Sequence, residues 1–276
     1  MVNRRDLDPD ASPQAAYGAR LRRLREERGL SQVELGVQAE YSGTHISQVE
    51  NARKLPTLRF SKRVDLALEA GDSFEREWRE MTHGALLEGY PEYLEHEGRA
   101  AELRVFDTGI IPGLLQTPEY AQCLADSKVR RGAMTQEQAD ELVEFLIERQ
   151  TTLVRPHPPT VMVVMDESCI LRRVGGPGTM GAQLDRLLEF AEQPNTVLQI
   201  ASFDIGERRA LYLPLYLLTL SDMTVIAYAE SQTRGYFERD SVAVWPLLTA
   251  YHHLQAEALS PAASVAMIHE VRKGYQ

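Results

Sequence analysis

Thr44, His45, Ser47 and Gln48 recur at helical spacing in one short stretch, and Asn51, Arg53 and Lys54 follow directly. Short hydroxyl and amide side chains of this kind hydrogen-bond to base edges in a major groove. A Gln can pair bidentately with adenine, a contact worth about 1–3 kcal/mol of discrimination. Arg53 and Lys54 fall where phosphates would pass, so they would position the chain without reading sequence. Gln32, Arg22 and Asn51 complete the expected phosphate contacts, with Gln32 also bracing the reading helix. His45 is read as a base contact, with a phosphate contact or plain exposure as its alternatives. Glu50 is different: a carboxylate aimed at a polyanion is repelled, so it is expected to pair with the preceding helix.

These residues need two short helices around a tight turn. Ser31 is an N-cap and Glu34, three residues on, completes a capping box. The helix that follows offers Val33, Leu35, Val37 and Ala39 to a small core. Tyr41, Ser42 and Gly43 break it, and Ser42 or Thr44 caps a second helix with Ile46 and Val49 as its buried stripe. Glu40 must take up the turn conformation with a side chain present. Gly36 should cost roughly 1 kcal/mol of helix stability against Ala. An earlier helix over 16–28 buries Tyr17, Leu21 and Leu24 and stops at Gly29, which suits a C′ position. It leaves Arg20, Arg22, Arg23 and Arg25 in solvent or facing phosphates. With a further helix over 57–70, these elements predict a four- or five-helix domain over 15–72. A polar arm over 1–14, carrying Arg4 and Arg5, precedes it as a floppy terminus.

The stretch 31–58 closely resembles the helix-turn-helix of the Xre or phage-repressor type. The resemblance rests on Ser31-Gln32, Glu34-Leu35-Gly36, Ile46-Ser47-Gln48-Val49-Glu50, Arg53-Lys54 and Pro56 in register. Gly36, Glu40 and Ala52 depart from the usual Ala, Gly and Gly. The resemblance implies sequence-specific binding of double-stranded DNA.

Charge patterning bears on the same reading. The 276 residues carry a net charge of −10, which taken alone argues against nucleic acid. Residues 1–63, however, hold 12 Lys and Arg against 8 Asp and Glu, leaving −14 on the remainder. A basic module on an acidic body is the asymmetry expected when only the first part touches phosphate. The two cysteines, Cys123 and Cys169, lack metal-ligand or redox spacing and read as buried thiols in a reducing compartment. The first residues lack an apolar run of signal type. The longest apolar stretch, 211–229, is broken by Pro214, Ser221 and Asp222, so it reads as two strands rather than a membrane span. A cytoplasmic, nucleoid-associated protein without membrane contact is expected.

Beyond the reading module, residues 73–99 read as a helical linker broken at Gly89–Pro91. Over 100–276 the periodicity alternates. Strands are expected over 101–107, 160–166 and 196–201, with an antiparallel pair in LYLPLYLLTL and TVIAYAE. Helices are expected from Thr117-Pro118, from the capping box Thr135/Gln138 over 136–154, and over 181–193, 238–258 and 261–273. The fold class is therefore a mainly α helix-turn-helix domain followed by an α/β (α+β) domain with a mixed, largely covered sheet.

Nothing in that second domain converges on catalysis. His252 and His253 are adjacent and point to different sides of a helix. Asp166-Glu167 at a strand end are accounted for by capping the next helix. GGPG over 175–178 lacks a phosphate-loop pattern, and neither Lys128 nor Lys273 sits beside a strand-borne serine. The chain reads as no enzyme, with no catalytic residue, metal or cofactor. Tyr216, Tyr228, Arg234, Tyr236 and Trp245 cluster in the last third and form a candidate pocket for a ligand or partner. A core with satisfied hydroxyls is the plainer alternative.

The segments GIIPGLLQTPEYAQCL (109–124), ERQTTL (148–153), LLEFAEQPNTVLQI (187–200) and YLPLYLLTL (212–220) resemble those of actinobacterial regulators described as WhiJ-like or antitoxin-like. That resemblance implies regulation rather than chemistry. The second domain would respond to a small-molecule effector or to a small partner protein encoded nearby. A single recognition helix covers about half a turn of DNA. A homodimer on a pseudo-palindromic operator, with half-sites roughly 34 Å apart, is therefore expected. An antitoxin-like protein that sequesters its partner and autoregulates its operon is the alternative.

Overall fold

The computed structural model describes residues 8–83, 89–231 and 234–275. The arm residues Arg4 and Arg5 lie outside that set. The chain divides into two compact units, Met1–Leu86 and Leu87–Gln276.

The first unit holds five helices: α1 (Pro13–Glu27), α2 (Gln32–Ala39), α3 (Gly43–Glu50), α4 (Leu58–Ala67) and α5 (Ser73–His83). Hydroxyl side chains start the first four. Ser12 accepts from the Ala15 N–H at 3.1 Å, Ser42 from His45 at 3.1 Å, and Thr57 from Phe60 at 3.0 Å. Ser31 and Glu34 form the reciprocal capping box. Gly29, at φ 67°, terminates α1 as expected. Glu40 does take the left-handed conformation, at φ 63° and ψ 37°. Tyr17, Leu21, Leu35, Ala39, Ile46, Val49, Phe60 and Phe74 form the buried set. Losing a side chain such as Leu35 to Ala costs about 2–5 kcal/mol.

Two glycines set how closely the helices approach. A Cβ on Gly18 of α1 would lie 2.6 Å from the Val49 carbonyl of α3, and one on Gly36 would lie 2.7 Å from that of Tyr41. The helix cost of Gly36 is thus tied to close packing of α2 on the turn.

Two expectations for this unit are corrected. Val33 and Val37 are 65% and 74% exposed rather than in the core. Leu35 and Ala39, four residues apart, occupy the inward face, which leaves the interleaved valines pointing out. The stretch 73–99 is also not a free-standing linker. α5 buries Phe74 and Trp78 and packs on α4 and α1, so it belongs to the first unit. Asp65 of α4 fixes its start by accepting from the Phe74 and Glu75 N–H groups at 2.9 and 2.8 Å.

The second unit begins with α6 (Tyr90–Arg99) and runs β1 (Glu102–Asp107), α7 (Pro118–Arg130), α8 (Gln136–Arg149), β2 (Thr160–Asp166), α9 (Ser168–Leu171) and α10 (Gly176–Ala191). It continues through β3 (Thr196–Ala201), β4 (Leu215–Thr219), β5 (Val225–Glu230), β6 (Gly235–Glu238), α11 (Ser241–Glu257) and α12 (Pro261–Lys273). The sheet order is β3-β2-β1-β4-β5-β6, with β1 to β3 parallel and β4 to β6 antiparallel. One face packs Val105, Val163 and Leu198 against Tyr120 of α7, Leu184 of α10 and Ile268 of α12. The other packs Phe106, Val164 and Leu217 against Val244, Tyr251 and Leu254 of α11. The fold is α+β with a mixed sheet covered on both faces. The expected helix over 136–154 stops at Arg149 and continues as a five-residue 3-10 turn. β6, four residues long, was not expected.

Candidate nucleic-acid interface

α3 is held from behind by a buried carboxylate. Glu50 is fully buried and takes Arg25 Nε on Oε1 at 2.5 Å and Arg25 Nη2 on Oε2 at 3.0 Å. Gln32 Nε2 donates to the same Oε2 at 2.7 Å, which ties the start of α2 to the end of α3. A forked guanidinium and an amide on one carboxylate fix position and rotation together. Glu50 pairs with α1 and α2, and Arg25 is 7% exposed rather than solvated. Arg20 is likewise engaged, with Glu77.

The C-terminus of α3 is closed by a second set of bonds. Asn51 Nδ2 donates to the Ser47 carbonyl at 2.6 Å, and Asn51 Oδ1 accepts from Arg22 Nη2 at 2.8 Å. Arg22 reaches the Glu50 carbonyl at 3.3 Å as well. Arg22, Gln32 and Asn51, expected at phosphates, thus already brace the reading helix. The chain then doubles back through Ala52 at φ 50°, so that the Arg53 and Lys54 N–H groups both point at the Gln48 carbonyl.

What α3 leaves outward is narrower than the sequence suggested. Thr44 and Gln48 are exposed, and Ser47 is half-buried. Residues 44 and 48 are one helical turn apart and share a face. His45 lies elsewhere: its ring packs 4.6 Å from Tyr41 and 5.1 Å from Phe60, centroid to centroid. Its Nε2 is buried without a hydrogen-bond partner among the described residues. Burial, and then the charge of Lys54, hold the His45 pKa below its ordinary value. A neutral imidazole inside an aromatic cluster is a packing element.

Arg53 is exposed beyond the helix end and Lys54 half-buried. The basic excess does not extend over the whole unit, because Met1–Leu86 carries 14 Lys and Arg against 14 Asp and Glu. Arg25 was the important residue that sequence reasoning misplaced. The available signal was Glu50 itself, an acid at a core position that demands a cation.

In the second unit the five expected pocket residues do not share a site. Tyr216 stands opposite Tyr228 across β4 and β5, and Tyr228 opposite Phe237 of β6, on one face. Tyr236 precedes Phe237 and points to the opposite face, where it is 55% exposed. Trp245, on α11, is 69% exposed. Arg234 closes a turn through its backbone N–H to Ser231 Oγ at 3.0 Å.

Around Tyr216 and Tyr228 lies a polar cluster that the sequence did not reveal. Arg149 grips Glu97 with two bonds of 2.6 Å and donates to Tyr90 and Tyr93 hydroxyls at 2.7 and 3.2 Å. Tyr93 in turn donates to Glu97 at 2.5 Å. The Tyr93 and Tyr228 rings stack at 4.4 Å, and Tyr216 donates to Asp107 Oδ2 at 2.9 Å. Burial raises the Asp107 carboxyl to about 6, against the hydrogen bond from Tyr216. Every hydroxyl in this cluster has a partner.

Of the strand-end pair expected to cap the next helix, Asp166 bonds the start of α9, whereas Glu167 makes no side-chain cap and accepts from the Phe203 N–H at 2.7 Å. Asp166 Oδ1 accepts from the Ser168 N–H at 3.0 Å, and Arg209 donates to Asp166 Oδ2 at 2.7 Å. Cys169 is a buried free thiol, its pKa pushed up by burial. Among the described residues no group of three or more His, Cys, Asp and Glu is placed to hold a metal ion. Among them, too, no helix is long and apolar enough to cross a membrane.

Comparison with known families gives two matches. Residues 16–78 match the model described as "Helix-turn-helix domain", which spans α1 to α4 and most of α5. Residues 90–270 match "Domain of unknown function (DUF5753)", which runs from α6 into α12. Comparison with curated proteins and with solved structures yields no match. The helix-turn-helix makes this a DNA-binding regulator. By the larger of the two matches, the chain belongs to the family of the Domain of unknown function (DUF5753), with its helix-turn-helix domain placed ahead of that domain.

Proposed function

We propose that the protein is a sequence-specific transcriptional regulator that binds a pseudo-palindromic operator as a homodimer. In this reading Thr44, Ser47 and Gln48 meet base edges, while Arg53, Lys54 and the first turn of α2 at Gln32 meet phosphates. The N–H groups of that first turn lack intrahelical acceptors and suit a phosphate oxygen. Arg22 and Asn51 act by orientation and His45 by packing. The observation that carries the proposal is the Arg25–Glu50–Gln32 clamp, which fixes α3 with the Thr44 and Gln48 face outward. A helix whose position and rotation are already fixed loses little further entropy of its own on docking. The second unit, a separately folded body with its own core, is assigned to dimerisation and to sensing an effector or a small partner protein. The setting is the cytoplasm, where the operator is.

Selection from random duplexes tests this. The full chain should enrich a two-fold symmetric sequence, and Gln48→Ala and Thr44→Ala should each relax preference at one position per half-site. Unchanged preferences in both variants would remove the base-reading assignment. Sedimentation should show two protomers per operator; a monomer both free and on DNA would remove the homodimer.

A further inference from the structure

Gly43 is the first residue of α3, the end of a recognition helix that reaches base edges in helix-turn-helix docking. It offers no side chain there, and space rather than backbone conformation forbids one. A Cβ at 43 would lie 2.9 Å from Val33 Cγ2, 3.1 Å from Val33 Cα and 3.2 Å from Val33 N. No positive φ is recorded at this glycine. Val33, on the first turn of α2, therefore occupies the ground beside the leading end of the reading helix. It does so while 65% exposed, an unusual place for a β-branched apolar side chain on a helix that already has a core face.

We infer that Val33 is a specificity-determining residue that reads the C5-methyl group of one thymine in each half-site. The inference rests on the DNA-reading role proposed for α3. The chemistry is selective because the thymine methyl is the one apolar group that base pairs present in the major groove. Thr44, exposed beside Gly43, supplies a hydroxyl next to it, so one corner of the helix would pair an apolar reader with a polar one. No side chain of residue 43 separates the two.

The test uses the full chain and its selected operator, with each thymine replaced in turn by uracil, which lacks only the methyl. For the natural sequence, one uracil per half-site should weaken binding about fourfold, the usual effect of one lost buried methyl. Val33→Ser, which removes both γ-methyl groups, should weaken binding to the thymine operator by a similar factor. This variant should also be indifferent to uracil at that position. Val33→Asn gives a second variant should the serine chain melt early. Additive losses in variant and uracil operator, or no uracil position whose effect depends on residue 33, overturn the inference while leaving α3 as the reader. Failure of the chain to select any sequence overturns the DNA-reading role itself, and the inference with it.

Discussion

Each unit contains a buried glutamate held by a two-pronged arginine, and the two clamps are put to different ends. Arg25–Glu50 joins α1, α2 and α3 and has Gln32 as its third member. Arg149–Glu97 joins α8 to α6 and is roofed by Tyr90 and Tyr93. In the first, the clamp sits behind a helix whose opposite face keeps Thr44 and Gln48 free for an outside partner. In the second, neighbouring tyrosines are turned inward and their hydroxyls committed to Glu97, Asp107 and Glu230. The same bond thus backs an exposed polar helix face in one place and closes a core in the other. Which it does is decided by the side chains left over, not by the ion pair.

The sharpest way to break this comparison is to remove each acid. Breaking a buried pair leaves an uncompensated charge and costs about 3–5 kcal/mol. Glu97→Ala should reach the upper end, since the Tyr93 hydroxyl loses its acceptor as well. Glu50→Ala should lie lower, because Arg22 and Arg25 have carbonyl acceptors at Glu50 and Leu30 to fall back on. Native-state hydrogen exchange on the full chain, resolved by unit, reads both. Equal or inverted losses would show that the clamps are interchangeable.

Proton linkage runs in opposite directions at one group of each unit, Asp107 and His45. Burial lifts Asp107 from its ordinary value of 3.8 to about 6 in the fold, so between those values its native form holds a proton that the unfolded chain has released. Stability of the second unit should therefore fall as pH rises from 4 to 6, by about 3 kcal/mol if the shift is fully expressed. Asp107→Asn should flatten that slope. His45 works the other way. Its pKa is lowered, so the unfolded chain takes up protons first, and its contribution is complete above the ordinary histidine value and lost as pH falls below it. Acidification from the ordinary histidine value toward pH 4 should then remove the His45 contribution to the first unit while the Asp107 contribution to the second grows, and His45→Phe should abolish the former. Exchange rates that move in parallel would refute the assignment.

The smallest expected effect is at the rim of the first clamp. Asn51→Ala removes bonds to Ser47 and Arg22, worth about 1 kcal/mol, and should blur operator preference more than it lowers affinity. A change confined to the salt dependence of binding would instead return Asn51 to the phosphates.

Local signals were legible in the sequence, and distant ones were not. The capping boxes Ser31/Glu34 and Thr135/Gln138 formed as read, and β1, β2 and β3 fell within a residue of their expected spans. Each depends on neighbours within a few positions. Arg25 looked like any other arginine of α1, because its partner is 25 residues away and only packing brings them together. Val33 and Val37 looked like core residues until Leu35 and Ala39 claimed the inward face. The aromatic residues of the last third were visible as a group. Their division between two faces follows from the register of β4 to β6, and β6 was too short to announce itself.

Gly18 gives the recognition helix a backstop. Because α1 meets the Val49 carbonyl with no side chain between them, the depth at which α3 sits is set from the side away from Thr44 and Gln48. Even a single added methyl there acts as a shim, pushing the reader outward without altering any residue on its face. Under the proposed function, tuning of operator affinity is therefore open to a position outside the face that carries Thr44 and Gln48.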